Sequence, residues 1–275
     1  MMSLLSAEGY KLIRSKSFYI CIAVVIGVVA LLYGMLDLAD RIDRGEFENG
    51  TAGIVVSEET EEDGTSTWEE ISLMEIVGQI FSGDFLPCVL AVFVSIFVVG
   101  EYASGMMKNV AGKGRERWKI FLSKLIVAEL AVIPIVLIGL AATLLGGLVF
   151  KGSGSFTGDF WKNLTVFVGL QLLLEMAFAA VCMLTSDLVR NYAAGISLGI
   201  GIAAFPVILM EGLMDRLFYN SGFTPSAYWV VTRSIHCPYE GFTAGYVMET
   251  IFVAGGWLLL AAGLGIWHFS RADIS

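Results

Sequence analysis

Two acidic residues, Glu129 and Glu175, lie inside long apolar runs of the sequence, where a charged side chain is most costly. An acidic side chain at the centre of a bilayer costs roughly 2.5–3.5 kcal/mol on insertion scales. Glu175 lies halfway along the run 163–185, and Gln171 lies one turn away on the same helical face. Two interpretations are open: the pair lines a polar path or gate within a membrane, or a hydrogen-bonded Glu175 joins helices. Glu129 lies near the end of its run, so we expect it to reach the interface.

Patterns for enzymatic chemistry are present only in fragments. Residues 195–199 read Gly-Ile-Ser-Leu-Gly and match the G-x-S-x-G nucleophile elbow, but that motif needs a strand-to-helix turn and here lies inside an apolar helix. His236 and His268 are the two histidines of the sequence, and no H-E-x-x-H pattern occurs. The four cysteines are scattered and predict neither a disulfide framework nor a metal site. We therefore expect no catalytic residue, no metal and no cofactor on this chain.

Small residues recur every four positions in the run 192–210. Gly195, Gly199 and Ala203 share one helical face, and small residues let helix backbones approach closely in lipid. The stripe predicts a close helix contact. It is open whether that contact joins two copies of the chain or lies within one copy, against the second or third span.

The most informative segment is the charged stretch 101–124, which reads EYASGMMKNVAGKGRERWKIFLSK. Basic residues that anchor a loop at a membrane surface would explain its charge alone. The order of its residues, with glycines bounding a short basic run, favours a docking element. Its candidate docking residues are Glu101, Gly105, Lys108, Arg115, Arg117 and Lys119.

The elements that must position these residues follow from the composition. The chain has 275 residues, of which 56% are hydrophobic and 16% are charged, with a mean hydropathy of +0.76. A soluble domain has roughly 45–50% apolar and about 25% charged residues, so the excess indicates a polytopic membrane protein. About 20 apolar residues span the hydrocarbon as a helix. Six runs fit this length: 18–36, 81–100, 125–150, 163–185, 192–210 and 250–269.

The charges predict how these spans are oriented. Eleven Lys and Arg residues fall on the side that holds both termini and the 101–124 segment, and six fall on the other side. Because basic residues are retained in the cytoplasm, both termini are predicted to be cytoplasmic. Thirteen of the 26 acidic residues lie between Asp37 and Glu75. The net charge of −9 therefore describes a strongly acidic outer face and a basic inner face, and we expect no nucleic-acid partner.

Three further segments neither cross the membrane nor read as free loops. Residues 1–17 are amphipathic and predict a helix lying in the cytoplasmic interface. Residues 37–80 comprise an acidic outer loop and a helix: residues 68–80 are predicted to continue the second span outward, and the acidic loop before them suits either a solvated tether or a mouth that attracts cations. Residues 211–246 mix aromatic and charged side chains, which predicts re-entrant or half-inserted outer helices between spans five and six. The fold class is therefore all-α and integral to the membrane, with residues 1–275 forming one transmembrane domain.

In this layout the chain resembles the ABC-2 type transporter permeases. The likeness rests on six spans, on the pattern E-x-x-K-x-x-R-S-K at residues 8–16, and on the segment after span two. In that family, span two ends in a Glu followed by Gly-Thr and a basic residue, then a small-residue turn, a basic stretch and a Lys opening span three. Met106 stands where the family often has Thr. The corresponding positions here are Glu101, Gly105, Lys108, Arg115, Arg117 and Lys124.

The resemblance implies a division of labour between subunits. Residues 101–119 would form a coupling helix seated in a separate ATP-binding subunit, which would hold ATP and Mg²⁺, and the N-terminal helix would lie against the same subunit. In agreement, the sequence contains no G-x-x-x-x-G-K-[ST] phosphate-binding loop. The other expected partners are the lipid bilayer and a second permease, either the same chain or a related one.

By size and by its acidic loop after span one, the chain is more similar to lantibiotic and bacteriocin self-protection permeases than to polysaccharide exporters. That likeness implies a bacterial plasma-membrane exporter of a hydrophobic or amphipathic substrate such as an antimicrobial peptide. A lipid or drug exporter subunit is the alternative within the family. A non-transporting scaffold or a channel is the alternative outside it.

Overall fold

The computed structural model describes residues 2–43, 72–83, 85–104, 117–152, 156–209, 213–218 and 224–271. Within these ranges the chain is helical with short connections, and no residue belongs to a strand. The predicted all-α membrane fold class is therefore confirmed. The helices are α1 (Met2–Arg14), α2 (Lys16–Asp43), α3 (Leu73–Phe81), α4 (Phe85–Ala103), α5 (Arg117–Lys151), α6 (Gly158–Val189), α7 (Tyr192–Leu209), α8 (Asp215–Leu217), α9 (Val230–Ile235) and α10 (Ala244–Arg271).

Five helical stretches in the described ranges are long and apolar enough to cross a membrane. They are Lys16–Ile42, Leu73–Ala103, Trp118–Lys151, Gly158–Val189 and Ala244–Arg271. The remaining predicted span, 192–210, falls on α7, whose apolar stretch Tyr192–Ala204 is shorter. At 1.5 Å per residue, the 18 residues of α7 extend about 27 Å, slightly less than the hydrocarbon thickness.

The second crossing is a broken helix. α3 begins at its N-cap Ser72, whose hydroxyl accepts a hydrogen bond from the Glu75 amide at 3.0 Å. It ends at Phe81, and the Ser82 amide then bonds back to the Gly78 carbonyl at 2.7 Å. α4 restarts at Phe85 with a proline in its first turn, where the missing amide hydrogen costs no helical bond. The apolar run expected to start near residue 81 is thus divided between Phe81 and Phe85.

α6 is the centre of the bundle. It packs against α3, α4, α5, α7, α9 and α10. Of the residues in its most apolar 18-residue stretch, 67% are buried. Phe167 and Phe178 are fully enclosed within it. By contrast, only 22% of the residues in the most apolar 18-residue stretches of α2 and α10 are buried. These two helices therefore expose broad apolar faces, as lipid-facing helices do. The arrangement is a central helix surrounded by peripheral ones.

α1 lies outside the crossing helices and packs against α5. Its Leu4 and Leu12 are buried, whereas Tyr10 and Ile13 on another face are exposed. The chain turns into α2 at Ser15, whose amide bonds to the Leu12 carbonyl at 3.0 Å. This amphipathic pattern suits a helix at a membrane interface.

The segment between α7 and α10 folds back into the bundle. It contains α8, a 3₁₀ turn at Pro225–Tyr228, and α9. α9 contacts α6, α7 and α10, and its Val230 and Val231 are 1% exposed. The side chain of Asp215 joins α8 to the 3₁₀ turn by accepting hydrogen bonds from the amide and hydroxyl of Ser226 at 3.0 and 2.5 Å. Five of the six residues of α9 are therefore buried, in a helix too short to cross a membrane.

Candidate functional site

Charged side chains from three helices meet where the 101–124 segment leaves and re-enters the bundle. We call this end of the molecule, which holds α1, the end of α4 and the start of α5, the basic end. Glu101 on α4 accepts a hydrogen bond from Lys11 on α1 at 2.8 Å through Oε1. Its Oε2 lies 2.5 Å from Nζ of Lys124 on α5. Lys11 also donates to Glu8 at 3.0 Å, and these four residues form the charge cluster.

The charge cluster is largely shielded from solvent. Lys124 is 2% exposed, Glu8 is 5% exposed and Glu101 is 9% exposed. Removing one partner of a buried ion pair leaves an uncompensated charge and costs about 3–5 kcal/mol. Because Glu101 is shared by two lysines on different helices, it holds α1 and α5 to the end of α4.

The environment of the charge cluster affects the charges of Glu8 and Lys11 in opposite ways. Burial raises the pKa of the Glu8 carboxyl, and the negative charge of Glu101 raises it further. The pKa of Lys11 is also raised: burial opposes this, but the hydrogen bond to Glu101 and the charge of Glu101 outweigh it. The positive charge of Lys11 is therefore held firmly, whereas ionised Glu8 is weakly favoured.

A second polar group extends the charge cluster to the remaining helices of the basic end. The Tyr102 hydroxyl donates to Asp187 at the end of α6, and Nδ1 of His268 on α10 lies 3.1 Å from the same carboxylate. Two cations also lie over the Tyr102 ring: Lys124 Nζ is 5.7 Å and the Arg190 guanidinium 5.1 Å from its centre. Arg190 caps α6 in the left-handed conformation with φ of 54°. Five helices are thus connected by polar contacts at this end.

Of the six predicted docking residues, the structure describes three, and these lie in and around this network. Glu101 is its centre, Arg117 begins α5, and Lys119 is half-buried with its Nζ 5.3 Å from the Trp118 ring centre. Gly105, Lys108 and Arg115 lie outside the described residues. The sequence did not single out Tyr102, Asp187 or His268. The available signal was an acid directly after the run 163–185, with a basic residue three positions later.

The predicted pair in the middle of α6 is fully enclosed. Gln171 is 0% exposed and Glu175 is 1% exposed. Gln171 donates to the Ser234 carbonyl at 2.9 Å and accepts from the Ser234 hydroxyl at 2.6 Å. That hydroxyl also lies 3.5 Å from Oε1 of Glu175. The structure therefore brings both residues together with α9, a contact that their own run could not reveal. Glu129 on α5 is 7% exposed, so it is enclosed where we expected an interfacial position.

The small-residue stripe of α7 faces α4 within the same chain. A methyl group added at Gly199 would lie 2.9 Å from Cβ of Ala91, and one at Gly195 would lie 3.6 Å from Cβ of Ser95. Ala203 is 0% exposed. Among the alternatives left open by the sequence, the stripe makes the intramolecular contact with span two.

Comparison with known proteins identifies the family of this chain. No curated protein matches the chain. A model of the family described as ABC-2 family transporter protein matches residues 4–206, which is well over half of the chain and includes α1 to α6 and most of α7. The match covers the charge cluster, Gln171 and Glu175. The chain thus belongs to the ABC-2 transporter family and is a multi-pass membrane permease subunit.

Proposed function

We propose that the chain is the membrane subunit of an ATP-driven exporter in a bacterial plasma membrane. It moves a hydrophobic or amphipathic substrate, such as an antimicrobial peptide, out of the membrane or the cell. ATP and Mg²⁺ are held by a separate nucleotide-binding subunit, which docks on the 101–124 segment. Both termini and this segment lie in the cytoplasm, as the eleven basic residues on that side indicate.

The observation that carries the proposal is the shared carboxylate of Glu101. Its two ion pairs hold both ends of the 101–124 segment to each other and to α1. A displacement of that segment is therefore transmitted to several helices at once. Closure of an ATP-binding partner can shift a helix bundle between two states only through such a rigid connection.

A complete transporter also needs a second permease. Because the small-residue stripe of α7 already faces α4, the opposite face of this helix, with Ser197 and Leu198 exposed, is the surface we assign to the second copy or a related chain. Cysteines placed at these two positions should crosslink between two copies in the membrane. Crosslinking only to a different permease would indicate a heterodimer.

The central experiment is co-purification with a nucleotide-binding subunit, followed by measurement of ATPase activity. We expect the triple variant Lys108→Glu, Arg115→Glu, Arg117→Glu to lose the partner and the coupled ATPase activity. The matched control reverses two exposed charges at the other end, Lys162→Glu and Arg216→Glu, and should retain both. Thiol accessibility from each side of the membrane checks that the triple variant keeps its topology. Retained association in a correctly inserted triple variant would refute the docking role.

A further inference from the structure

The contact between Gln171 and Ser234 has the form of a bound ligand. A carboxamide offers one acceptor and one donor side by side, and both are used here by a single residue of α9. The Ser234 hydroxyl supplies the donor at 2.6 Å and its backbone carbonyl supplies the acceptor at 2.9 Å. A primary amide presents the same pair of groups side by side. Ser234 therefore fills a position that is chemically suited to an amide.

Two further groups complete a polar site around Gln171. The Ser82 hydroxyl, at the break between α3 and α4, accepts from Gln171 Nε2 at 3.3 Å. Oε2 of Glu175 is buried and has no hydrogen-bond partner among the described residues. A buried polar atom without a partner costs free energy that a ligand can recover. An additional N–H of a ligand would satisfy this oxygen.

Ser234, which fills the site, lies on α9. This short helix is bonded to α10, whereas Gln171 and Glu175 lie on α6. Arg233 on α9 donates to the Thr250 hydroxyl at 2.8 Å and to the Tyr246 carbonyl at 3.2 Å, both on α10. Its third nitrogen donates to the Ala227 carbonyl at 3.1 Å, and so holds the preceding 3₁₀ turn. Trp257 of α10 adds a hydrogen bond to the Tyr228 carbonyl at 2.7 Å. α9 is therefore joined to α10 by these polar contacts, while Ser234 and the buried Val230 and Val231 hold it in the bundle against α6.

The connection between α9 and α10 also borders open space. A cleft of about 570 Å³ lies between the start of α6 and residues 241–248, with Lys162, Asn163 and Val166 on the α6 side. Gly241 in this connection has φ of 70°, a conformation that residues with a Cβ rarely adopt. Its α6 residues lie nearer the start of that helix than Gln171 does.

We infer that Ser82, Gln171 and Glu175 form a substrate site for an amide group, which Ser234 occupies in the present state as an internal substitute. When α9 moves with α10, the site opens and receives the amide of a transported amphiphile. The inference rests on the proposed function and adds the chemistry that the substrate must present. An amphiphile without an N–H donor would satisfy Gln171 only in part.

The test uses two photoreactive probes with the same long acyl chain, one ending in a primary amide and one in a methyl ester. The chain is purified with its nucleotide-binding subunit, and labelling is compared without nucleotide and after trapping with ATP and vanadate. We expect the amide probe to label the segment around 171–175 about tenfold more after trapping. Trapping should lower the fraction of molecules in which Ser234 occupies the site. The ester probe should label the lipid-facing α2 and α10 equally in both states.

Two variants make the inference falsifiable. Gln171→Met keeps the size of the side chain, removes both hydrogen-bonding groups and should reduce amide labelling to the ester level. Ser234→Ala, a milder change, should keep the preference for the amide and allow labelling without nucleotide. Equal labelling of 171–175 by both probes, or no effect of either variant in a folded complex, would overturn the inference. Failure of the complex to hydrolyse ATP would instead count against the proposed function.

Discussion

The two polar regions inside this membrane bundle are built from different chemistry. The charge cluster at the basic end joins helices through full charges, with one carboxylate between two lysines. The site around Gln171 joins helices through neutral groups, a carboxamide and a hydroxyl. Breaking a buried ion pair leaves a charge in low dielectric, whereas a neutral hydrogen bond between membrane helices contributes only about 0.6 kcal/mol on average. The first region suits a permanent connection and the second suits one that opens.

The strongest test of this contrast is Lys124→Met. It leaves Glu101 buried with Lys11 as its remaining cation, so no charge is left unpaired, and we expect a loss of about 1.5–3 kcal/mol in the free energy of unfolding. Thermal unfolding in detergent, followed by size-exclusion chromatography, measures the shift. Lys119→Met on the same helix is the control, because that lysine is half-buried rather than enclosed and its Nζ lies over the Trp118 ring, and it should cost under about 1 kcal/mol. Equal shifts in thermal unfolding for the two variants would show that the charge cluster does not stabilise the fold.

A double-mutant cycle gives the next largest effect. Glu101→Gln combined with Lys124→Met removes both charges of one pair, so the double variant should be more stable than the sum of the single losses predicts. We expect a coupling free energy of about 1–3 kcal/mol. Additive losses would mean that the two groups do not interact despite their short separation.

The neutral region should respond less to a comparable change. Ser234→Ala removes the hydroxyl that donates to Gln171, and should cost about 0.5–1.5 kcal/mol. Ser95→Ala is a matched control because Ser95 accepts one neutral hydrogen bond, from Ser186 on α6 at 3.0 Å. Both variants should lower the melting temperature by a similar small amount. Coupled ATPase activity should change only for Ser234→Ala, and a change of the same size for Ser95→Ala would break the comparison.

The smallest effect is expected inside the charge cluster itself, at Glu8. Because its pKa is raised in the folded protein, Glu8 stabilises the fold below pH 4.5, its ordinary value, and that contribution is lost as the pH rises through the folded pKa. Glu8→Gln should therefore change stability by less than about 1 kcal/mol at neutral pH. Melting curves at pH 4 and pH 7 check this, with Lys11→Met as the damaging comparison. A large loss at pH 7 would show that ionised Glu8 is needed.

The sequence could predict which polar residues are costly to place inside a membrane, but not which residues contact each other. Long apolar runs predicted the crossing helices, and the enclosed Gln171 and Glu175 stood out because polar groups are expensive there. The break between Phe81 and Phe85 was not predicted, since the apolar run from Phe85 was extended back past Asp84 to reach the length of a crossing. The pairs Gln171–Ser234 and Asp187–His268 are separated by 63 and 81 positions. Such contacts depend on how helices pack, which periodicity does not encode.

The pairing of Lys11 with Glu101 has a consequence for biosynthesis. The two residues are 90 positions apart, and Lys124 follows later still. While the chain emerges from the ribosome, α1 is made before α4 and so before its carboxylate partner there. It reaches its final place only after the second and third spans have been inserted as a hairpin. α1 is therefore synthesised well before the helices that hold it in place.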